Sequence, residues 1–501
     1  MKKPNILIVM TDHQRGDTVL PEHPAITPNL TEFAAEGVTF GQTYIPMAHC
    51  SPARATFFSG LYPSRHGVWN NVSNGMALSR GLNPGVRLFS EDLADAGYNM
   101  AYAGKWHVSA VEAPRDRGWG ELRSYPQSTV KDESEAWEQL REAAKKPETS
   151  ERAEGEIVIP GYRNHTLYGA SDTRAQGDER SLELAIDALP ELTKDDNPWA
   201  MFVGWNMPHA PYMLPQRYID LYDLDDVPLP VSYWDNLKDK PNYYRKLREM
   251  RFGQLGELKT RDAIRHFWAM CTYLDEMFGK LLDALDKTGQ ADNTVVLYCS
   301  DHGDYCGEHG LFHKGVPAFR GAYHVPAVIR WPAGIARPGR RVDEFATLAD
   351  FAPTFLELAG VESDRYFTGE SLAPFLRDEE PESWREEICT QCNGVENYFT
   401  QRAIMTKDFK YVYNGFDYDE LYDLRSDPHE MANLQADPAY DDIKRDLIQR
   451  MWRFAYQEQD TLGPSGQYIM ISTAAHGPLE GLRDAEGESP PPARGPASGR
   501  P

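Results

Sequence analysis

The sequence predicts an α/β protein: a large mixed, mostly parallel sheet flanked by helices, with a smaller C-terminal α+β unit that contains an antiparallel sheet. Three observations carry this. Nearly continuous apolar runs of strand length stand at residues 5–10, 198–205 and 294–299, as in strands buried on both faces. They alternate with helical patterns, the longest over 262–286, where apolar residues at steps of three and four mark one buried stripe. Past residue 380 the alternation gives way to a hairpin and one amphipathic helix. The 501 residues accordingly divide into 1–380, 381–470 and a tail over 471–501, whose proline, glycine and low apolar content leave it disordered or an arm ordered only by a neighbouring subunit.

Taken in order, residues 5–10 (NILIVM) form the first strand. Asp12 follows at its carboxyl end, where open α/β sheets bind ligands. Thr27 and Pro28 begin a helix that Gly37 stops. The stretch 50–67, CSPARATFFSGLYPSRHG, starts another, with Pro52 in its first turn and Gly60 as its stop. Cys50 therefore sits at a helix N-terminus, where unpaired N–H groups and the dipole favour negative charge, and Arg54 adds a fixed cation one turn on. Residues 90–96 read as a short helix and 99–103 as an extended run, delivering Lys105 and His107 two apart to one cleft.

From 112 to 177 the composition turns polar and charged, with a helical pattern at 135–146, and reads as an insertion over the sheet's edge or mouth. A helix over 179–192 precedes the strand 198–205, and His209 lies just beyond that strand. Residues 212–259, rich in proline, tyrosine and aspartate, lack periodicity and read as a specificity loop wrapping the site. The strand 294–299 ends in Ser300, Asp301, His302, Gly303 and Asp304, and the following loop carries His309, His313 and Lys314. Residues 402–413 pattern as a hairpin turning at Lys407 and Asp408, and 442–457 as an amphipathic helix.

Composition narrows the function. A net charge of −24 argues against nucleic acid and against an anionic membrane surface. No run approaches the roughly 20 apolar residues of a membrane span, and the first residues lack the longer apolar core of a secretory signal, so the expectation is a cytoplasmic protein. Six cysteines fit a reducing compartment, and the lone pair Cys389 and Cys392 lacks the partners that would complete a zinc site. An enzyme for anionic esters in so acidic a chain must build a locally cationic pocket.

The blocks PNILIVMTD, CSPAR, AGKWH, MPHAPY, SDHGD and HKG, with DELYDLRSDPHEMANL behind them, fall in one order over residues 4–460. Together they resemble the formylglycine-dependent sulfatases of the alkaline phosphatase superfamily. The resemblance implies an alkaline phosphatase-like fold and hydrolysis of aryl or small alkyl sulfate esters, after a formylglycine-generating enzyme has oxidised Cys50 to an aldehyde. It implies that Asp12, Asp301 and His302 bind one divalent ion together with the modified Cys50. Carboxylates favour a hard ion such as calcium, and an imidazole shifts the balance towards manganese or zinc.

By the same resemblance Arg54, Lys105 and Lys314 hold developing charge, His209 (with Lys314 as a second candidate) serves the leaving alcohol, and His107 takes the proton that restores the aldehyde. Asn71 matches a substrate-binding amide. Arylsulfatases typically carry asparagine where His302 stands, so the nearest branch is that of choline sulfatases and phosphonate monoester hydrolases, and phosphonate monoester or phosphodiester hydrolysis is the alternative activity. His13 stands where relatives carry aspartate or glutamine, either ligating or bordering the metal, with Gln14 placed to take over a neighbouring contact. The expected partners are a small anionic ester and the maturation enzyme, with no nucleic acid and no membrane; the aromatic-rich segments and tail fit a homo-oligomer.

Overall fold

The computed structural model describes residues 2–73, 77–124, 153–159, 163–395 and 397–460, with Glu138 and Arg141. The tail over 471–501 and, apart from those two residues, the helix expected over 135–146 lie outside the described residues.

The first twelve strands are β1 (Asn5–Asp12), β2 (Val38–Tyr44), β3 (Asn99–Gly104), β4 (Glu121–Ser124), β5 (Glu156–Ile159), β6 (Arg163–Thr166), β7 (Tyr168–Ala170), β8 (Trp199–Pro208), β9 (Tyr212–Leu214), β10 (Thr294–Ser300), β11 (Ala327–Arg330) and β12 (Arg340–Thr347). Eight of them make one sheet in the order β12-β2-β11-β10-β1-β8-β3-β4. Only β11 opposes the rest, pairing antiparallel with both β10 and β2. The other pairings are parallel, so the sheet is mixed and mostly parallel, as expected. β1 lies at its centre between β10 and β8, and every residue of β1 and β10 is buried. Burial on both faces is why these strands read as unbroken apolar runs.

The helix Gly256–Lys287 packs against Pro28–Ala35 and Gln176–Leu192. It begins six residues before the apolar stripe, because residues 256–259 are exposed and carry no core signal. Three strands of the large sheet outside the insertion were not expected from the sequence. β2 contains Gly41 and Gln42, β11 has four residues, and β12, at the sheet's edge, begins with two arginines and carries exposed Asp343 and Glu344 at a register shift in mid-strand. The insertion is partly structural: β4 is the far edge strand, β5 and β6 form a hairpin, and β7 pairs parallel with β9. The aperiodic stretch 212–259 resolves into β9 and short helical turns, among them Gln216–Ile219, Asn242–Leu247 and Arg248–Phe252.

At the C-terminal end β13 (Glu387–Cys392), β14 (Gln401–Thr406), β15 (Phe409–Asn414) and β16 (Glu420–Asp423) form an antiparallel sheet in sequence order, with β14 and β15 the expected hairpin. Side chains alternate faces along a strand. Ile388, Ala403 and Val412 join the core of the large sheet, while Cys389, Ile404, Tyr411 and Tyr413 pack with Leu447, Ile448, Met451 and Trp452, the last four from the helix Asp441–Gln457. Cys389 and Cys392 are free and buried, and their spacing of three puts them on opposite faces of β13. Among the described residues no helix is long and apolar enough to cross a membrane.

Candidate active site

The site forms where β1, β3, β8 and β10 end, around the N-terminus of the helix Cys50–Ser59. His49 enters that helix extended, Pro52 occupies its first turn, and Gly60 closes it in the left-handed conformation at φ 73°. All ten helical residues are buried. The Ser51 amide donates to Asn71 Oδ1 at 3.0 Å, which satisfies one of the otherwise unpaired groups at the helix start.

Asp12 ends β1, and Asp301 and His302 follow β10. Asp12, Asp301 and His302 are 0% exposed and Cys50 is 1% exposed. Each carboxylate has one oxygen occupied by a cation. Asp12 Oδ2 takes Lys105 Nζ, and Asp301 Oδ2 takes Arg54 Nε at 2.7 Å. Asp12 Oδ1 turns towards the nucleophile helix, and Asp301 Oδ1 accepts from the His302 amide at 2.8 Å. Asp12 Oδ1 lies 3.3 Å from His302 Nε2 and 3.7 Å from Cys50 Sγ, Asp301 Oδ1 is 3.8 Å from His302 Nε2, and His302 Nε2 is 3.3 Å from Cys50 Sγ. His302 Nδ1 donates to the Gly303 carbonyl at 2.8 Å, which leaves the Nε2 lone pair facing the others. Two carboxylate oxygens, an imidazole nitrogen and the group at position 50, all within 4.8 Å of one another, make a donor set suited to one divalent cation.

Lys105 reaches this set because Gly104, at φ 108°, bends the chain in a conformation where any Cβ would strike the Gly204 carbonyl. Arg54 sits behind the donors: besides Asp301 it donates to the Lys105 carbonyl at 2.8 Å, and it is wholly buried. His107 Nε2 is 3.0 Å from Ser73 Oγ. On the opposite side Lys314 Nζ touches His13 Nε2 and lies 3.3 Å from His209 Nε2. His209 Nδ1 donates to the Ala210 carbonyl at 2.7 Å. His13, whose Nε2 is 3.9 Å from Asp12 Oδ1, gives Nδ1–H to Asp304 Oδ2 at 2.9 Å.

The electrostatics follow from this packing. Burial opposes ionisation of Cys50, but Lys105, Lys314, His302 and the neighbouring His107 hold its thiol well below the ordinary range. Burial and Cys50 likewise oppose ionisation of Asp12, and Lys105, His209 and His302 outweigh them, keeping its carboxyl low. Asp301 is raised by burial and by Asp12 against the pull of Arg54 and His302. Burial and the Lys314 ammonium bring His209 down to about 3, so its resting imidazole is neutral.

Every residue expected at the site is gathered there, Asn71 through the helix start. Gln14 is not available to a metal: its side chain accepts from Thr11 Oγ1 at 3.0 Å and Tyr298 Oη at 2.7 Å, and donates to Thr18 Oγ1 at 3.1 Å. The structure adds groups that sequence reading did not single out. Asp304 accepts from Tyr212 Oη at 2.7 Å and from the amides of Cys306 and His313 at 2.9 and 2.8 Å, as well as from His13. Its signal was its place in SDHGD. Ser73 and Tyr212 lie in aperiodic segments with no such signal.

The chain matches the sulfatase family model over residues 4–361 and the model for the C-terminal region of N-sulphoglucosamine sulphohydrolase over residues 307–457. It is 32% identical over 462 residues to the uncharacterized sulfatase YidJ of Escherichia coli K12, covering 89% of this chain and 85% of that protein. It is 31% identical over 455 residues to the choline-sulfatase of Rhizobium meliloti, covering 87% and 83%. The phosphonate monoester hydrolase of Agrobacterium radiobacter has the same fold, with a TM-score of 0.73 at 24% identity over 91% of this chain and 96% of that one. A family match over most of the chain, on a fold that gathers the family's sequence blocks around Cys50, means that this protein belongs to the sulfatases.

Proposed function

We propose that this sulfatase hydrolyses aryl or small alkyl sulfate esters at Cys50, used in its formylglycine form, beside one divalent ion held by Asp12, Asp301 and His302. The observation that carries the reading is the buried cluster of Asp12, Cys50, Asp301 and His302, whose ligand atoms all lie within 4.8 Å of one another, with one oxygen of each carboxylate taken by a basic side chain. This buried donor set fits calcium or manganese, and a bound ion supplies Lewis-acid activation and neutralises a sulfate oxygen. The formylglycine supplies the oxygen nucleophile that a thiol lacks.

The chain's own residues do the rest. Lys105 and Lys314 flank position 50 with ammonium groups preorganised for the charge of the transferring sulfate. Arg54 fixes Asp301 and the Lys105 backbone, so it acts on the site from behind. His209 presents Nε2 beside Lys314, whose ammonium can relay a proton to the leaving oxygen. His107, beside position 50 with its Nδ1 unpartnered among the described residues, takes the proton whose removal releases sulfate. The Asn71 carbonyl is committed to the Ser51 amide, so only its N–H groups are left to offer a substrate. His13 borders the ion, its Nδ1 tied to Asp304.

Phosphonate monoester hydrolysis is the second reading, favoured by the imidazole of His302 in the donor set. A larger kcat/KM for an aryl phosphonate monoester than for the matching aryl sulfate would reverse the order. The central test is Cys50→Ala, with mass spectrometry of the Cys50 peptide from the parent protein. We expect an oxidised aldehyde in the parent and loss of sulfate release in the variant at an unchanged melting temperature; full activity in Cys50→Ala would sink the proposal.

A further inference from the structure

Beyond Lys314 the site continues into a second group of bases that the proposed chemistry does not use. The His313 ring lies 6.3 Å from that of His13, and the His165 ring lies 6.1 Å further on, nearly perpendicular to it. His165 comes from β6 and pairs with Ile157 of β5. Arg251 comes from the turn Arg248–Phe252, whose Phe252 ring is 5.7 Å from His313. Gln254 locks these two distant segments together, accepting from the Val158 amide and donating to its carbonyl, both at 2.9 Å. The hairpin and the turn are thus built onto one another, and the assembly sets Arg251, His165 and His313 side by side.

The donors in this group are unspent. Arg251 Nε, His165 Nε2 and His313 Nε2 have no hydrogen-bond partner among the described residues. After burial, the groups acting on His313 are Arg251, Lys314, His209 and His165, all of them bases, and Arg251 acts on His165 as well. Arg174 extends the same side, donating to the His209 carbonyl at 3.1 Å with its Nε unpartnered. In a chain of net charge −24 such a concentration of uncompensated donors is disfavoured unless an anion completes it. Arg251, His165 and His313 are each half-buried, and the unpartnered nitrogens themselves are turned away from water.

We propose that Arg251, His165 and His313 form a second oxyanion subsite, so that the preferred substrate is a sulfate ester whose alcohol carries another anionic group, a carboxylate or a second sulfate. This rests on the sulfatase reading of the Cys50 site. A cationic alcohol such as choline is disfavoured by the same residues, since it would meet the Arg251 guanidinium and find no carboxylate among them.

The test uses the full chain with Cys50 converted, and 4-nitrophenyl sulfate as the singly charged reporter substrate. Glucose 6-sulfate, glucose 2,6-disulfate, glucose 3,6-disulfate and choline O-sulfate are compared as inhibitors of its hydrolysis. We expect at least one disulfate to bind about tenfold or more tightly than the monosulfate, a difference of about 1.4 kcal/mol, and choline O-sulfate to bind more weakly than glucose 6-sulfate. Arg251→Ala with His165→Ala should erase the preference while leaving kcat/KM for 4-nitrophenyl sulfate within about twofold, too small a change to register as a lost contact. Arg251→Lys, which keeps the charge, should retain part of the preference.

A parent enzyme that does not distinguish mono- from disulfates would overturn the subsite. So would a preference that survives the double variant, or a variant that loses the reporter reaction equally. Titration calorimetry of the disulfates onto Cys50→Ala, with and without Arg251→Ala, reads the subsite without turnover. Failure of the parent to hydrolyse any sulfate therefore strikes the sulfatase reading alone.

Discussion

At the residue scale the site depends on which atom of each side chain is already engaged. His302 and His13 both spend Nδ1 on a fixed acceptor, the Gly303 carbonyl and Asp304 respectively, which fixes the tautomer and turns Nε2 into the site. Asp304 is the hub of the second arrangement, because one buried carboxylate accepts from His13, Tyr212 and two backbone amides. Asp304→Asn keeps the shape and replaces an acceptor oxygen by a donor, setting N–H against N–H. We expect kcat for an aryl sulfate to fall by about 10-fold, the lower end of the loss when a hydrogen bond surrounding a metal's ligands is removed, with a smaller change in KM. Steady-state kinetics at saturating metal would check this, and an unchanged kcat would show that His13 needs no such anchor.

At the element scale two short segments hold the active groups in place. The helix Cys50–Ser59 stops at Gly60, whose φ of 73° suits glycine and whose added Cβ would lie 2.5 Å from Phe367 Cδ1. Gly60→Ala should destabilise the fold by about 1–2 kcal/mol from backbone conformation alone, with more from the contact, as measured by denaturant melts. A midpoint unchanged from the parent would contradict this.

The second segment is the turn around His309, bound to Asp235 at 2.9 Å, with Lys240 at 2.9 Å from the same carboxylate. Burial works against the Asp235 anion, but His309, the Leu237 amide and Lys240 bring its carboxyl down to about 2. A carboxyl that is lower folded than unfolded adds stability above its unfolded value of 3.8, and that stability is lost as pH falls towards 2. Asp235→Asn should therefore melt earlier at pH 7 and show a flatter decline between pH 4 and pH 2. Parallel melting curves for variant and parent across that range would refute it.

At the scale of the whole molecule the C-terminal sheet is a continuation of the main body. One of its faces joins the large sheet's core and the other lies under the helix Asp441–Gln457. Polar ties add to this. Arg402 pairs with Asp460 at 2.6 and 2.9 Å inside the unit, and across to the main body Gln391 accepts from the Ser64 amide at 2.9 Å and the Glu458 carbonyl accepts from Ser64 Oγ at 3.0 Å. Ser64 lies just beyond the nucleophile helix, so the C-terminal unit buttresses the segment that carries Cys50. Calorimetry should record a single unfolding transition for the chain; two separable transitions would mean that the smaller sheet stands alone.

The parts of the fold that are legible along the chain are those whose signal is local. Strands β1, β8 and β10 announced themselves because burial on both faces leaves no polar position. The hairpin β14–β15 did so through its turn at Lys407 and Asp408, and the residues of the Cys50 site through short blocks that each end a strand or begin a helix. What remained hidden was non-local. β11 and β12 gain their partners across the sheet, Gln14 looked free to take over a contact beside His13 until Thr11, Thr18 and Tyr298 closed around it, and Asp304 became a hub only when Tyr212 reached it from 92 residues away. His165, Arg251 and His313 lie in three aperiodic stretches, and no spacing in the chain connects them. Strand and helix periodicity are written in neighbouring residues, whereas the side chains that choose a substrate meet only after the hairpin and the turn have docked, so the tertiary structure alone decided that part of the site.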